Sequence, residues 1–339
     1  MLALLSIGIQ CSHADLPEFS GAKMQNEIPQ ISVIIPAYNR ASLLSRAVDS
    51  ARTQDFQDLE ILIVDDGSSD GTAEVANEIA QKDSRIRVIK HEQNRGEAAA
   101  RNTGLRNSRG RYLAFLDSDD SWLPGKLTRQ HELIKTADPN VIAVATSQII
   151  VAPDGSRSVE KDSWHFKLPV TQRNLLTRGC AIGLGGNLLM RREPALAAGE
   201  FDTSLRLYVD VDWLCRFLTS GNILAKNEAY TLYNKADLRP GEMVEQSTLE
   251  FLRKNKEMLN KYSRSDRRAI KANFYRSIAL SYQAHGNRWA NVRHSALAII
   301  QKPIVPIGNY IEIFDQIFGL NSLHLLRKIT GRNCGPSEG

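Results

Sequence analysis

Cysteine is scarce: 4 in 339 residues, Cys11, Cys180, Cys215 and Cys334, with no CxxC and no zinc-type spacing. That pattern excludes a disulfide framework and reads as free thiols in a reducing compartment. Long apolar runs are also missing. The opening stretch Leu2 to Ile9 is too short to span a bilayer, lacks a basic start, and is followed by a poor cleavage site at Ala14-Asp15. No other run approaches spanning length, so the expected location is cytoplasmic, soluble or peripheral on the inner face of the membrane. Glycine-rich phosphate loops are absent too. Asn39-Arg40-Ala41-Ser42 stands where a GxGxxG would follow the first strand, and Gly125-Lys126 lacks the hydroxyl residue and upstream glycine of a Walker loop. With 42% hydrophobic and 24% charged residues the chain is an ordinary globular protein, not a disordered one.

The net charge of +5 conceals an asymmetry. Residues 251–339 carry 15 Lys+Arg against 5 Asp+Glu, which leaves 28 against 33 for the rest. An acidic front and a basic tail suggest two tasks. The tail can meet an anionic surface or simply be a solvated helical face. Its cations are spread over several helices with no recognised module, so no nucleic-acid partner is expected.

The first third alternates short apolar runs with helical stretches, the signature of βα units feeding a parallel sheet. Strands are expected at Ile31 to Pro36, Leu59 to Val64, Arg87 to Ile89 and Tyr112 to Leu116, with helices from Ala41, after Gly71 and from Ala98. A helix is expected from Pro124 to Thr136, then a strand at Val141 to Val151 and an apolar run at Leu188 to Met190. Residues 160–240 otherwise read as irregular. From Glu242 the pattern is helical, with breaks near Ser263, His285-Gly286 and Pro303. Met24 lies just before the first strand, and residues 1–29 are expected to form a loose arm.

In open parallel sheets ligands bind beyond the carboxyl ends of the strands. Three strands here end in polar clusters: Pro36-Ala37-Tyr38-Asn39, Asp65-Asp66-Gly67-Ser68 and Asp117-Ser118-Asp119-Asp120. Each cluster alone could be a turn or a helix cap. Three acids within four residues repel one another, however, and a cation resolves that repulsion. Asp117 and Asp119 can share one hard divalent ion, Mn2+ or Mg2+, that also holds a diphosphate.

These residues resemble the family 2 glycosyltransferases. The resemblance rests on Ser32 to Asn39, Ile63 to Thr72, Asn94 to Asn102 and Gly110 to Asp120, which follow the family's order and spacing; it is dense over residues 30–130 and thinner to about 235. It implies a GT-A fold, an α/β Rossmann-like, mostly parallel sheet flanked by helices, over residues 30–240. Residues 30–130 form its nucleotide-sugar half and 131–240 its acceptor half, with 241–339 a basic helical extension. By the same resemblance Pro36, Ala37, Tyr38 and Asn39 line the base and ribose of a nucleotide-sugar donor. Asp66 accepts from the base beside Asp65, Asp117 and Asp119 match the metal-binding DxD, and Asp117 and Ser118 also contact the nucleotide-sugar. Arg101 is either a contact to the nucleotide or an ion pair supporting that loop.

The family's Glu-Asp pair, whose Asp deprotonates the acceptor hydroxyl, falls here on Val209-Asp210, so Asp210 is the implied base and its usual neighbouring carboxylate is missing. A processive synthase is not expected, because the QxxRW motif is absent. The implied activity is a metal-dependent, inverting, single-addition transfer, from a UDP-sugar to a glycan or lipid-linked acceptor, in cell-surface polysaccharide synthesis. The alternative is a nucleotide-sugar-binding protein that has lost catalysis. The apolar stretches Ile304 to Ile307 and Ile311 to Leu326 offer a face for peripheral membrane contact or for packing on the protein itself. Trp164, His165, Tyr208 and Trp213 are candidates for a sugar-stacking surface.

Overall fold

The computed structural model describes residues 28–152, 154–159, 169–179, 182–234 and 239–301. Most of the N-terminal arm, Trp164, His165, three of the cysteines and the apolar stretches after Pro303 lie outside the described residues.

β1 (Ile31–Ala37) and β2 (Leu59–Asp65) are buried at every position. Continuous β-branched runs of this kind suit strands covered on both faces. With β3 (Ile86–Lys90) and β4 (Tyr112–Phe115) they form a parallel block in which β1 pairs with β2 and β4, and β2 pairs with β3. The crossovers are α1 (Ala41–Arg52), α2 (Thr72–Ala80) and α3 (Glu97–Asn107). The chain continues through β5 (Ser121–Trp122), α4 (Lys126–Thr136), β6 (Val141–Val151), β7 (Arg157–Val159), α5 (Gln172–Arg178), β8 (Leu188–Arg191), α6 (Arg192–Ala197), α7 (Val209–Phe217) and β9 (Asn222–Asn234). The sheet runs β3-β2-β1-β4-β8-β6-β9-β5, with β7 beside β6. Beyond β4 it is mixed: β8 is antiparallel to both neighbours, whereas β6 and β9 are parallel.

Two differences from the sequence reading follow from local physics. β5 is only two residues long and owes its existence to pairing with β9. β9 was read as irregular because its register against β6 shifts three times, which scrambles the alternation that marks a strand.

Successive strand residues face opposite sides, so β1 feeds two cores. Ile31, Val33 and Ile35 pack with Leu44 and Val48, while Ile34 joins Phe115, Trp213 and Phe217. The helices α8 (Gly241–Lys254), α9 (Lys256–Asn260), α10 (Arg264–Ala284) and α11 (Arg288–Gln301) follow. Phe251, Leu259, Ile270 and Phe274 belong to the second core, so the change of composition at residue 241 is not a gap in packing. Asp202 and Lys254 add an ion pair across that boundary, 2.7 Å long. Among the described residues no helix is long and apolar enough to cross a membrane. Cys215 is a fully buried free thiol whose pKa burial pushes up to about 12, which makes it inert.

Candidate active site

The ends of β1 and β2 are stapled together. Asn39 adopts a left-handed φ of 52°, tolerable for Asn. Its N–H donates to Ser68 Oγ (3.0 Å), and its Oδ1 accepts from the Ser69 N–H (3.0 Å). Asp65 is wholly buried and its Oδ1 accepts from the Ser68 N–H at 3.1 Å. Both were expected at the nucleotide; both hold the turns here, Asn39 by reaching across to the turn after β2 and Asp65 by bonding within that same turn. Gly67 has φ +72°, and a Cβ there would come within 2.5 Å of the Gln93 backbone, so only glycine lets this turn lie on the loop before α3. Asp66 faces the cleft, yet both its oxygens are engaged. His91 Nδ1 lies 2.6 Å from Oδ1, and the N–H groups of Arg95 and Gly96 donate at 3.0 and 2.7 Å. His91 in turn reaches Thr103 Oγ1 at 2.9 Å.

A cavity of about 360 Å³ opens beyond these strand ends. Pro36, Ala37 and Tyr38 form one wall, and Asp66, Asp117, Ser118 and Asp119 line the rest of the expected surface. Tyr233 and Asn234 at the end of β9, with Arg239, close the far side. Two further cavities, about 460 and 540 Å³, meet the first at Asp117, and Asp210 lines both. Clefts of this size suit a bound small molecule.

Arg101 ties the cleft together. Gly104 lets α3 rest on β1, since a Cβ there would collide with Ile34 Cγ2 at 2.2 Å. That contact sets Arg101, whose side chain is 5% exposed, behind the strand ends. Its Nη1 donates to Asp210 Oδ1 (2.6 Å), its Nη2 to Asp117 Oδ1 (3.0 Å) and also to Glu97. Burial works against its charge, but Asp210, Asp117 and Glu97 outweigh that and raise its pKa. Of the two readings of Arg101, the ion pair supporting the DxD loop is the one the geometry displays. Its Nη atoms are occupied by carboxylates, so a direct nucleotide contact requires one of them to let go.

Asp117 is held from both sides. Its N–H donates to the Gly185 carbonyl (2.7 Å), and a Cβ on Gly185 would stand 1.9 Å from its Oδ2. Although 28% of its side chain is exposed, enclosure by protein raises its pKa to about 6. Arg101 opposes that rise; Glu97 and Asp210 reinforce it. Asp120 is raised further, to about 8, by burial, with its Oδ1 accepting from the Asn234 N–H at 2.9 Å. Asp119 is 42% exposed and faces Arg40 across 3.8 Å. Asp117 and Asp119 therefore fit a hard cation as a pair of accessible carboxylates on one cavity. No group of three or more His, Cys, Asp or Glu side chains gathers as a metal cage among the described residues. Phosphate oxygens and water would have to complete the shell.

Asp210 stands in the first turn of α7, where a negative charge suits the helix dipole. The helix starts from Tyr208 at φ 62°, a left-handed conformation strained for an aromatic residue. Packing over-determines it: the Tyr208 ring sits between Phe251 and Phe274 and its hydroxyl is 3.0 Å from Thr248 Oγ1. Trp213 is fully buried, stacked on Phe201 and Phe217, and donates to the Gly199 carbonyl. Trp213 is thus a core residue and not an exposed sugar platform, whereas Tyr208 is half-buried and lines the cavity beside Asp210.

Several site residues carried no usable signal. Glu97 lies inside a recognised motif, but its approach to Arg101 needs the helix register of α3. Tyr233, Asn234 and Arg239 depend on β9, and Gly185 on a contact with Asp117 that no spacing reveals. The run Ala229-Tyr230-Thr231-Leu232-Tyr233, rich in strand formers, was the available clue to β9.

Residues 32–196 match the family model described as glycosyl transferase family 2. Among curated proteins it is 44% identical over 106 residues to the UDP-Glc:alpha-D-GlcNAc-diphosphoundecaprenol beta-1,3-glucosyltransferase WfaP of Escherichia coli, covering 31% of this chain and 41% of that one. The chain spans less than half the length of the curated relatives it matches. Among solved structures it resembles S. aureus TarS 1-349 in complex with UDP-GlcNAc, with TM-score 0.53 and 18% identity over 80% of this chain and 90% of that one. It also resembles the mannosyltransferase PcManGT of Pyrobaculum calidifontis, solved with GDP-Man and Mn2+, with TM-score 0.52 and 18% identity over 90% and 85%. At these identities the likeness shows the fold.

Proposed function

We propose that the protein transfers a sugar from a nucleoside-diphosphate sugar, a UDP-sugar first among candidates, to an acceptor hydroxyl. The observation that carries this reading is the convergence of Asp117, Asp119 and Asp210 on one cleft at the strand ends, joined by Arg101. The base and ribose lie against Pro36, Ala37 and Tyr38. A divalent cation, Mn2+ or Mg2+, held by Asp117 and Asp119 would neutralise the charge of the departing diphosphate. Arg239, which lines both the donor cavity and the cavity beside Asp210, is placed to add a second positive charge to that group.

Asp210 keeps one oxygen on Arg101 and turns the other to the acceptor hydroxyl, whose proton it takes. The hydroxyl oxygen bonds to the anomeric carbon as the bond from that carbon to the diphosphate oxygen breaks, and a single displacement inverts the centre. Val209 leaves no carboxylate beside Asp210 on α7. Glu97, on the same guanidinium, brings one from α3 instead, which favours an active enzyme over a binding protein.

WfaP, by its name, acts on a lipid-linked diphosphate, and this supports a lipid- or glycan-linked acceptor in cell-surface polysaccharide synthesis. The test is thermal stabilisation by UDP- and GDP-sugars with Mn2+. The expected result is a metal-dependent shift with one donor, lost in Asp119→Ala; an equal shift in that variant would reject the metal role.

A further inference from the structure

A separate cavity of about 570 Å³ lies in the helical region, between α8, α9, α10 and the end of α11. Five cations line it, Lys256, Arg264, Arg267, Arg268 and Lys271, and among the described residues no acidic side chain does. Two are built into the wall: Arg267 donates to the Tyr262 carbonyl (2.7 Å) and Arg268 to the Ile300 carbonyl at the end of α11 (2.7 Å). Lys256, Arg264 and Lys271 are exposed and make no ion pair with any described residue. Asp266, the nearby acid on α10, is turned away and pairs with Arg173 at 2.6 Å. Between the cations the lining is Leu252, Leu259 and Ile270, the last two continuous with the protein core, together with the amides of Asn260 and Gln301.

Like charges gathered around a hollow, with no counter-ion among the described residues, repel one another, and an anion relieves that. The apolar lining between them selects an anion that carries hydrocarbon. We propose that this cavity is a docking site for an anionic phospholipid at a membrane surface, with the phosphate held by Arg264, Arg268 and Lys271 and the upper acyl chain against Leu252 and Ile270. Each basic residue near such a surface adds to the attraction, and it is screened by salt. This assigns the contact to α8–α11, not to the apolar stretches beyond Pro303, and it is independent of the sugar-transfer reading.

The experiment is flotation of the full chain with vesicles of phosphatidylcholine alone, and with about one third phosphatidylglycerol. The wild type should float only with the anionic vesicles, and less in high salt. The variant Lys256→Gln/Arg264→Gln/Lys271→Gln removes three exposed cations and should lower partitioning roughly a hundredfold, with unchanged melting temperature and donor turnover. A control, Lys261→Gln/Arg276→Gln/Arg293→Gln, removes the same charge outside the cavity and should float nearly as well as the wild type. Equal losses in the two variants would reduce the effect to net charge and overturn the site. So would flotation by the first variant at the wild-type level, or binding of inorganic pyrophosphate by a wild type that ignores the vesicles. If the first variant melts early, Lys256→Gln alone, at an exposed position, should still weaken flotation severalfold.

Discussion

The two halves of the cleft are built in different ways. In the first half, residues 30–130, the acids Asp66, Asp117 and Asp119 and the wall Pro36 to Tyr38 sit at the ends of strands buried on both faces, so site and fold share one short stretch of sequence. Beyond residue 130 the site is assembled from distant pieces: the end of β9, the first turn of α7 and the glycine run at 183–186. The first kind of site is local and reads as a motif. The second exists only after β6, β8 and β9 have paired, and sequence patterns mark it weakly. Arg101 is the junction, a buried guanidinium on α3 holding Asp117 of the first half and Asp210 of the second.

Breaking that junction should have the largest effect. Arg101→Met leaves Glu97, Asp117 and Asp210 facing one another without a counter-charge, and the expected loss is about 3–5 kcal/mol of stability, measured by urea unfolding together with loss of turnover. Next comes Asp117→Asn, which keeps the shape and removes the charge; kcat/KM for nucleoside diphosphate release should fall about 100- to 1000-fold. Gly185→Ala then tests whether the second half positions the first. Its Cβ must push the Asp117 carboxylate aside, and a displacement of that order costs about 100-fold in kcat, with melting changed far less.

Glu97→Gln should be milder, about tenfold in kcat, with little change in stability because its side chain is 60% exposed. An unchanged kcat would remove Glu97 as the stand-in for the carboxylate missing at Val209. Smallest is Asp202→Asn, at the tie between the catalytic core and α8. Its pKa is lowered to about 2; burial raises it, and hydrogen bonds from Lys254 and Ser204 more than compensate. A depressed carboxylate stabilises the fold above its unfolded pKa of about 4 and loses that contribution as pH falls towards 2. With both partners partly exposed the effect is at most about 1 kcal/mol. It should vanish below about pH 2, which acid melting curves of wild type and variant can check.

The same contrast explains what could be read in the sequence. β1, β2, β4 and the acids after them were legible because continuous apolar runs broken by Asp and Gly have few other structural meanings. Asp65 and Asn39 looked like ligand contacts because they sit in the right stretch, but which way a side chain points after a strand depends on the neighbouring turn, and here they bond to it. Arg101 was placed correctly on its helix, yet its partners come from 16 and 109 residues away, so its role needed the fold. β9 was hidden by its shifted register, and Tyr233, Asn234 and Arg239 were hidden with it.

The most direct test of the central claim separates donor binding from sugar transfer at Asp210. Wild type and Asp210→Asn are given the stabilising nucleotide-sugar with Mn2+, and both thermal shift and acceptor-dependent diphosphate release are recorded. The account predicts that the variant is stabilised like the wild type while its release falls about 100-fold or more. Release at the wild-type rate would contradict Asp210 as the base and, with it, the joining of the two halves into one catalytic site.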